Sequence, residues 1–98
     1  MTVYVDELQI WPHARHACFR QGSAHLTADG PGELHAFAAS LGLRRAWYQD
    51  HPLHPHYDLS PGKHVQALEH GAVLVLAREQ ARRRLLARRS ARTMEIVR

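Results

Sequence analysis

Two segments with clear helix start and stop signals divide this chain and constrain its fold most strongly. Ser60 and Pro61 can open one helix, because the serine hydroxyl caps free backbone N–H groups and proline is tolerated in the first turn. Gly71 supplies a natural stop for that helix. In the earlier segment, Asp29 can cap a helix that Gly42 ends. The sequence therefore predicts two helices, each closed by a glycine.

The apolar residues of the first helix recur with a helical spacing. Leu34, Phe37, Ala38 and Leu41 stand at positions i, i+3, i+4 and i+7. This spacing places all four side chains on one face of the helix. We expect that face to pack against a sheet.

Short segments with strand character flank both helices. We expect strands at residues 2–6, 24–28, 44–49 and 72–77, the last of them buried. Strand–helix–strand alternation favours an α/β layout. A chain of 98 residues supports one core. The predicted fold is a single small α/β domain, with a mainly parallel sheet of about four strands and flanking helices.

Basic charge is concentrated at the C-terminal end. Residues 78–98 contain eight arginines and two glutamates, whereas the whole chain has a formal net charge of +4, so the remainder is mildly acidic. We expect an α/β domain over 1–79 and an Arg-rich C-terminal helix or tail over 80–98. The arginines that could contact nucleic-acid phosphates are Arg82, Arg83, Arg84, Arg88 and Arg89. The alternative is a solvated helix, because no aromatic residue interleaves these arginines to stack bases.

Cysteine content and hydropathy bear on the compartment. The single cysteine, Cys18, excludes an internal disulfide and is compatible with a reducing environment. The longest apolar run, 72–77, is far shorter than the ~20 residues that span a bilayer. The first residues carry no basic leader. We therefore expect a cytoplasmic protein without a membrane partner.

Polar side chains at the ends of the predicted strands suggest a site for a divalent metal. Ligands of open α/β sheets bind at the carboxyl ends of the strands, where Asp6 and Gln49 are expected. The loop that follows Gln49 holds three histidines and Asp58. Imidazole and carboxylate groups suit zinc or manganese. The expected metal ligands are Asp6, His56 and Asp58, the expected acid–base pair is His25 held by Asp29, and the expected lining residues are His35 and Gln49.

Each of these residues also has a purely structural interpretation. The histidine loop can be a solvated segment stiffened by its prolines, with His51 and His54 in its mobile part. His25 can be a hydrogen-bonded histidine that only orders the sheet edge. Asp29 can be a plain helix cap.

Several segments together resemble a known family. They are Val3-Tyr-Val-Asp6, Ala24-His-Leu-Thr-Ala-Asp29, Glu33-Leu-His-Ala-Phe-Ala38, Leu41-Gly-Leu43, Trp47-Tyr-Gln49, His56-Tyr-Asp58 and Gly71-Ala72. In this order and spacing they resemble a family of small bacterial and phage proteins catalogued as domain of unknown function 4031. The resemblance covers about residues 3 to 79 and implies a shared domain without a mechanism. It assigns the seven candidate site residues to the family pattern, from which His51 and His54 depart.

Two classes of function fit these observations. The first is metal-assisted hydrolysis of a phosphoester or a similar small substrate. The second is a non-catalytic binding module, in which the same residues form a structural hydrogen-bond network and the basic tail contacts nucleic acid or an acidic protein.

Overall fold

The computed structural model describes residues 2–10, 13 and 16–97, with side chains described as far as residue 90. Four strands and three α-helices follow one another along this part of the chain. They are β1 (Val3–Val5), β2 (Ala24–Ala28), α1 (Pro31–Ser40), β3 (Tyr57–Leu59), α2 (Pro61–Glu69), β4 (Val73–Leu74) and α3 (Ala77–Val97). Single 3₁₀ turns lie at Ala17–Phe19 and Arg45–Trp47.

The four strands form one mixed sheet. Their order is β3-β2-β1-β4, in which β1 and β2 are antiparallel, β2 and β3 are antiparallel, and β1 and β4 are parallel. The α/β class and the four-strand count are confirmed, but the prediction of a mainly parallel sheet is wrong. Parallel neighbours need a long crossover, usually a helix. In the described part of the β1–β2 connection, only a single 3₁₀ turn is found.

The third strand comes from a segment that had been predicted as loop. Residues 44–49 form the 3₁₀ turn Arg45–Trp47 instead of a strand. Gln49 then pairs with His56 through two backbone hydrogen bonds, of 2.9 and 3.1 Å. In this antiparallel bridge the chain reverses direction between Gln49 and His56, and β3 begins at the next residue. The two prolines of the loop lie outside the strand, so they do not interrupt its pairing.

The last strand is shorter and more exposed than its apolar sequence predicts. β4 holds only Val73 and Leu74, which are 47% and 51% exposed. It pairs with β1 on one side and forms an edge of the sheet. The expectation of a buried strand at 72–77 is therefore wrong, since an apolar run does not by itself distinguish a central strand from an edge.

Alternation of side chains gives the sheet one apolar and one polar face. Val5, Leu26 and Leu59 are fully buried on the apolar face, which α1 and α2 cover. Thr27 lies on the opposite face and donates a 3.1 Å hydrogen bond to Gln80 of α3. Helices α1 and α2 therefore cover the apolar face, whereas α3 contacts the polar face at Thr27, and the polar face carries the candidate site.

Helix boundaries largely follow the expected signals. The Ser60 hydroxyl accepts a 3.4 Å hydrogen bond from the Lys63 backbone N–H at the start of α2. Gly42 and Gly71 adopt φ values of +80° and +100°, which glycine tolerates best. Gly30, not Asp29, is the N-cap of α1.

The predicted apolar face of α1 is confirmed. Leu34, Ala38 and Leu41 are buried in the core, and Phe37 packs against it while partly exposed. No helix among the described residues is both long and apolar enough to cross a membrane.

We expect Leu34→Ala to lower the free energy of unfolding by about 2–5 kcal/mol, because it leaves a cavity in a closed core. The matched control is Leu68→Ala, which makes the same change on α2 at a side chain 38% exposed and should cost about 1 kcal/mol or less. Urea unfolding at neutral pH measures both. Equal losses in the two variants would contradict the assigned core.

Candidate metal centre

Asp6 fixes the end of β1 to the beginning of β2. Its side chain is buried, and both carboxylate oxygens accept 2.6 Å hydrogen bonds from His25, one from the backbone N–H and one from Nδ1. The Asp6 backbone adds two more bonds, since its N–H donates to the His25 carbonyl at 3.3 Å and its carbonyl accepts from Nε2 of His64 at 2.8 Å. Asp6 therefore orients the His25 ring and ties α2 to the sheet edge.

Strand register brings His25 and Asp58 together. They are direct partners across the β2–β3 pair, and both project from the polar face of the sheet. Nε2 of His25 lies 4.0 Å from Oδ1 of Asp58. His56 lies two residues before Asp58, immediately ahead of β3. Its Nε2 lies 3.4 Å from the same oxygen. Three side chains thus converge on one point.

The outer nitrogen of each of these histidine rings is bound to an acceptor. Nδ1 of His25 is bonded to the Asp6 carboxylate, and Nδ1 of His56 is bonded to the His54 carbonyl at 2.6 Å. A carboxylate and a carbonyl can only accept, so both Nδ1 atoms must carry the proton. In the neutral rings, both Nε2 lone pairs are then free and directed toward Asp58. Metal-binding histidines are held in the same way by outer-shell acceptors.

Asp58 is oriented by an amide and carries a negative charge. Nε2 of Gln49 donates a 2.5 Å hydrogen bond to Oδ2, which leaves Oδ1 facing the two imidazoles. The hydrogen bond that the protonated His56 ring donates, aided by that of Gln49, lowers the pKa of Asp58 against the opposing effect of burial. Burial lowers the pKa of His56, but the hydrogen bonds with Asp58 and the His54 carbonyl outweigh it, so this pKa is raised. In the absence of a metal, the two side chains form an ion pair at mildly acidic pH.

The three converging side chains have the spacing of a metal site. His25, His56 and Asp58 offer ligand atoms that all lie within 4.8 Å of one another. Ligands of a tetrahedral ion with bonds of 2.0–2.2 Å stand roughly 3.4 Å apart. The 3.4 Å distance from Nε2 of His56 to Oδ1 of Asp58 equals this ligand–ligand distance. The 4.0 Å distance from Nε2 of His25 exceeds it, so a small inward movement of the ring would complete the site. The residues present fit a divalent ion.

His54 joins this cluster, although its loop position predicted a mobile side chain. Its ring stacks on His56 with centroids 4.8 Å apart and meets His25 edge-on at 5.2 Å. Arg84 of α3 lies 3.0 Å from Nδ1 of His54. A guanidinium can only donate, so this Nδ1 is an acceptor and the His54 ring is neutral in the contact. Burial, with the charge of Arg84, lowers the pKa of His54 to about 4.

Two of the predicted site residues lie elsewhere. Asp29 accepts hydrogen bonds from the Tyr4 hydroxyl at 2.8 Å and the Thr2 backbone N–H at 3.0 Å, so Asp6 rather than Asp29 holds His25. The reason is the antiparallel β1–β2 pairing, which places the end of β1 beside the start of β2.

His35 lies on the other side of the sheet from the cluster. Its Nδ1 is 2.9 Å from the Tyr57 hydroxyl, and its ring meets Tyr48 edge-on with centroids 4.5 Å apart. Burial and the nearby charge of Arg45 lower the pKa of His35. These contacts favour a packing role for a neutral ring.

Sequence reasoning did not find the contribution of His54, but one signal was available. His54, His56 and Asp58 alternate with other residues at a period of two, as side chains on one face of an extended segment do. The prolines between them obscured this pattern. The His25–Asp58 pairing had no comparable local signal, because it depends on the β2–β3 register.

A cavity of about 450 Å³ lies beside this cluster. Asp58 and Gln49 form part of its lining, together with residues of the Ala17–Phe19 turn, the Arg45–Trp47 turn and the start of α2. This volume is within the range of pockets that hold small molecules. A ligand in the cavity would therefore reach the carboxylate of the candidate centre.

Residues 3–88 match the family described as "Protein of unknown function (DUF4031)". This chain belongs to the DUF4031 family. No curated protein and no solved structure matches it significantly. The DUF4031 match contains every residue of the candidate centre and extends past residue 79, where the resemblance had been expected to end, as far as Arg88 of α3. Membership in DUF4031 establishes the domain and leaves its chemistry to be inferred from the site.

The low pKa of His54 has a measurable effect on the metal-free protein. Unfolded His54 takes up a proton near pH ~6.5, whereas folded His54 stays neutral down to about pH 4. Because the unfolded state binds more protons in this interval, His54 should lower stability as the pH falls through it. His54→Asn keeps an acceptor near Arg84 and removes the titration. The loss in stability from pH 7 to pH 4.5 should be smaller in this variant than in the parent.

The matched control for this pH effect is His51→Asn in the same loop, at an exposed position. Urea unfolding of all three proteins at pH 7, 5.5 and 4.5, with a chelator present, gives the comparison. A stability difference between parent and His54→Asn that does not change with pH would contradict the assignment.

Proposed function

We propose that this DUF4031 protein binds one divalent transition metal ion, Zn²⁺ or Mn²⁺, through His25, His56 and Asp58. We further propose that it uses the ion in the hydrolysis of a phosphoester or a similar small substrate. The observation that carries the proposal is the arrangement of both imidazoles, with Nδ1 on an acceptor and Nε2 directed at the same Asp58 oxygen. When the rings are neutral, neither Nε2 has a proton to donate to Asp58, so a hydrogen-bond network would leave these three atoms unpaired, whereas a metal ion would bind all of them.

The proposed ligand set differs in one respect from that suggested by the sequence. Asp6 has both oxygens bonded to His25, so it acts here as a positioning residue and His25 takes the third ligand position. Two imidazoles and one carboxylate form a set common to catalytic zinc sites, which keep one position for water or substrate. His25 and Asp58 are about one-third exposed, which leaves that position accessible.

Each neighbouring group supports the same chemistry. A bound ion would supply Lewis acidity toward a phosphoryl oxygen and would lower the pKa of water. Asp6 fixes the orientation of the His25 ring through Nδ1, as outer-shell carboxylates do for metal-binding histidines. Gln49 holds Asp58 so that Oδ1 remains on the side of the imidazoles.

A non-catalytic binding module is the second candidate, and it rests on α3. Arg82, Arg83 and Arg88 are exposed on this helix, and Arg84 contacts the His54 ring. These residues, with Arg89, would contact nucleic-acid phosphates in an interaction that weakens steeply with salt. The two candidates differ in metal dependence, because contacts between arginine and phosphate need no divalent ion.

Calorimetric titration of Zn²⁺ and Mn²⁺ into the untagged, chelator-treated protein tests the proposal. We expect one ion per chain at pH 7.5. His56→Ala should weaken binding roughly 100-fold or more, and Asp6→Asn about 10–100-fold, the range for loss of an outer-shell partner. His51→Ala is the control from the same loop and should bind like the parent.

The affinity should also fall with decreasing pH, because a metal competes with protons for imidazole nitrogen. The raised pKa of His56 means that this loss begins above the ordinary imidazole value of ~6.5. If the parent binds neither ion, or if His51→Ala weakens binding as much as His56→Ala does, the proposed centre is wrong and the binding module becomes the better account.

A further inference from the structure

We propose that the 450 Å³ cavity beside Asp58 is the substrate pocket, and that it selects a phosphate ester with an aromatic ring. The phosphate would lie between the proposed metal position and Lys63, and the ring would lie against Trp47. This inference deepens the proposed function and rests on it for the position of the ion. Apart from Asp58, the described lining residues of the pocket are not among the proposed metal ligands.

Three parts of the fold form the walls of the cavity. The first is the end of β3 with the start of α2, which contributes Asp58, Ser60 and Lys63. The second is the segment around the Arg45–Trp47 turn, including Leu43, Trp47 and Gln49. The third is the turn that carries His16, Cys18 and Phe19. Small-molecule pockets have this composition, with a mainly apolar lining and a few convergent polar groups.

The polar groups are linked to one another beside the metal centre. Gln49 is bonded to Asp58, Ser60 follows Asp58 by two residues, and the Lys63 backbone is bonded to the Ser60 hydroxyl. The carboxylate alone would repel an anion. A bound cation on Asp58 together with the Lys63 ammonium would reverse that local charge, so the polar end of the cavity suits a phosphate group.

Lys63 is the one lysine among the 13 basic residues of the chain. It is partly buried, and its ammonium donates to the Leu41 carbonyl and, at 3.3 Å, to Oε1 of Gln66. An ammonium has three N–H donors, so one remains for a ligand. The two protein acceptors restrain the ammonium of a side chain whose residue lines the cavity, which a freely moving surface lysine would not provide.

The opposite end of the cavity suits a flat apolar group. Trp47 is 52% exposed, a large fraction for an indole, and Phe19 and Leu43 lie in the same lining. The Arg44 guanidinium lies 5.8 Å from the centre of the indole and restrains it. An aromatic ring packed on Trp47 would bury apolar surface on both partners and add the preference of aromatic rings for one another.

The single lysine allows a direct binding experiment on the full chain. Protein labelled with ¹⁵N at the lysine side chain gives one ammonium signal, which is followed by NMR during titration with phenylphosphonate or with inorganic phosphate. Phenylphosphonate replaces an aryl phosphate ester because its P–C bond is not hydrolysed. Zinc-loaded and chelator-treated samples are compared. We expect both ligands to shift the Lys63 signal, and phenylphosphonate to bind about tenfold more tightly than phosphate, the contribution of an aromatic contact.

Variants separate the two ends of the pocket. Trp47→Ala should make the dissociation constants of phenylphosphonate and phosphate nearly equal, whereas Trp47→Phe should retain most of the preference for phenylphosphonate. Leu53→Ala removes an apolar side chain of equal exposure, 52%, outside this lining and should leave the preference unchanged. Lys63→Met should weaken the binding of both ligands by a similar factor. Calorimetry measures this variant, because the substitution removes the lysine ammonium signal.

The two proposals fail in different ways. Zinc should increase the affinity for both ligands, and absence of that increase while phenylphosphonate still binds preferentially would contradict the metal centre and support the pocket. Equal dissociation constants for phenylphosphonate and phosphate in the zinc-loaded parent would overturn the pocket. An unshifted Lys63 signal at saturating phenylphosphonate would overturn it as well, whatever the metal result.

Discussion

The double hydrogen bond between Asp6 and His25 is the interaction on which the site depends. A buried carboxylate would be costly without partners, and here the backbone N–H and the ring Nδ1 of one residue satisfy both oxygens. The same bonds lock β1 against β2 and set the direction of Nε2. The carbonyl of Asp6 also accepts from His64, so the position of α2 is linked to that of the His25 ring. Asp6 therefore both satisfies the backbone N–H of His25 and orients its ring.

The mixed sheet explains why the remaining groups converge. Because β2 runs antiparallel to both β1 and β3, the end of β1 and the middle of β3 lie beside the start of β2. His25 thus faces Asp58 across one strand pair, and His56 approaches from the bridge that precedes β3. The polar face carries these groups while Leu26 and Tyr57 enter the core from the same two strands. Because successive side chains of a strand point to opposite faces, each candidate site residue on β2 and β3 is next to a core residue in the sequence.

Local signals in the sequence predicted much of the fold and part of the site. The β2 segment, the cap at Ser60 and the α1 face with Leu34 and Leu41 were foreseen, because each depends on residues close in sequence. Strand direction was not, because the expected strand at 44–49 forms a turn and β3 arises within a proline-containing loop. That error displaced the candidate site, since Asp29 was expected beside His25. Pairing register and the contact between His54 and Arg84 join residues far apart in the chain, so no short pattern encodes them.

The tautomers of His25 and His56 decide whether both rings present an unprotonated Nε2 to a metal ion. Long-range ¹H–¹⁵N NMR of the imidazole rings at pH 8 distinguishes a protonated Nδ1 from a protonated Nε2, and addition of Zn²⁺ identifies the nitrogen that binds. We expect both neutral rings to carry the proton on Nδ1, and the Nε2 resonance of each to shift when zinc is added. Neutral rings that carry the proton on Nε2 at pH 8, or Nε2 resonances unaffected by zinc, would show that these histidines do not form a metal centre.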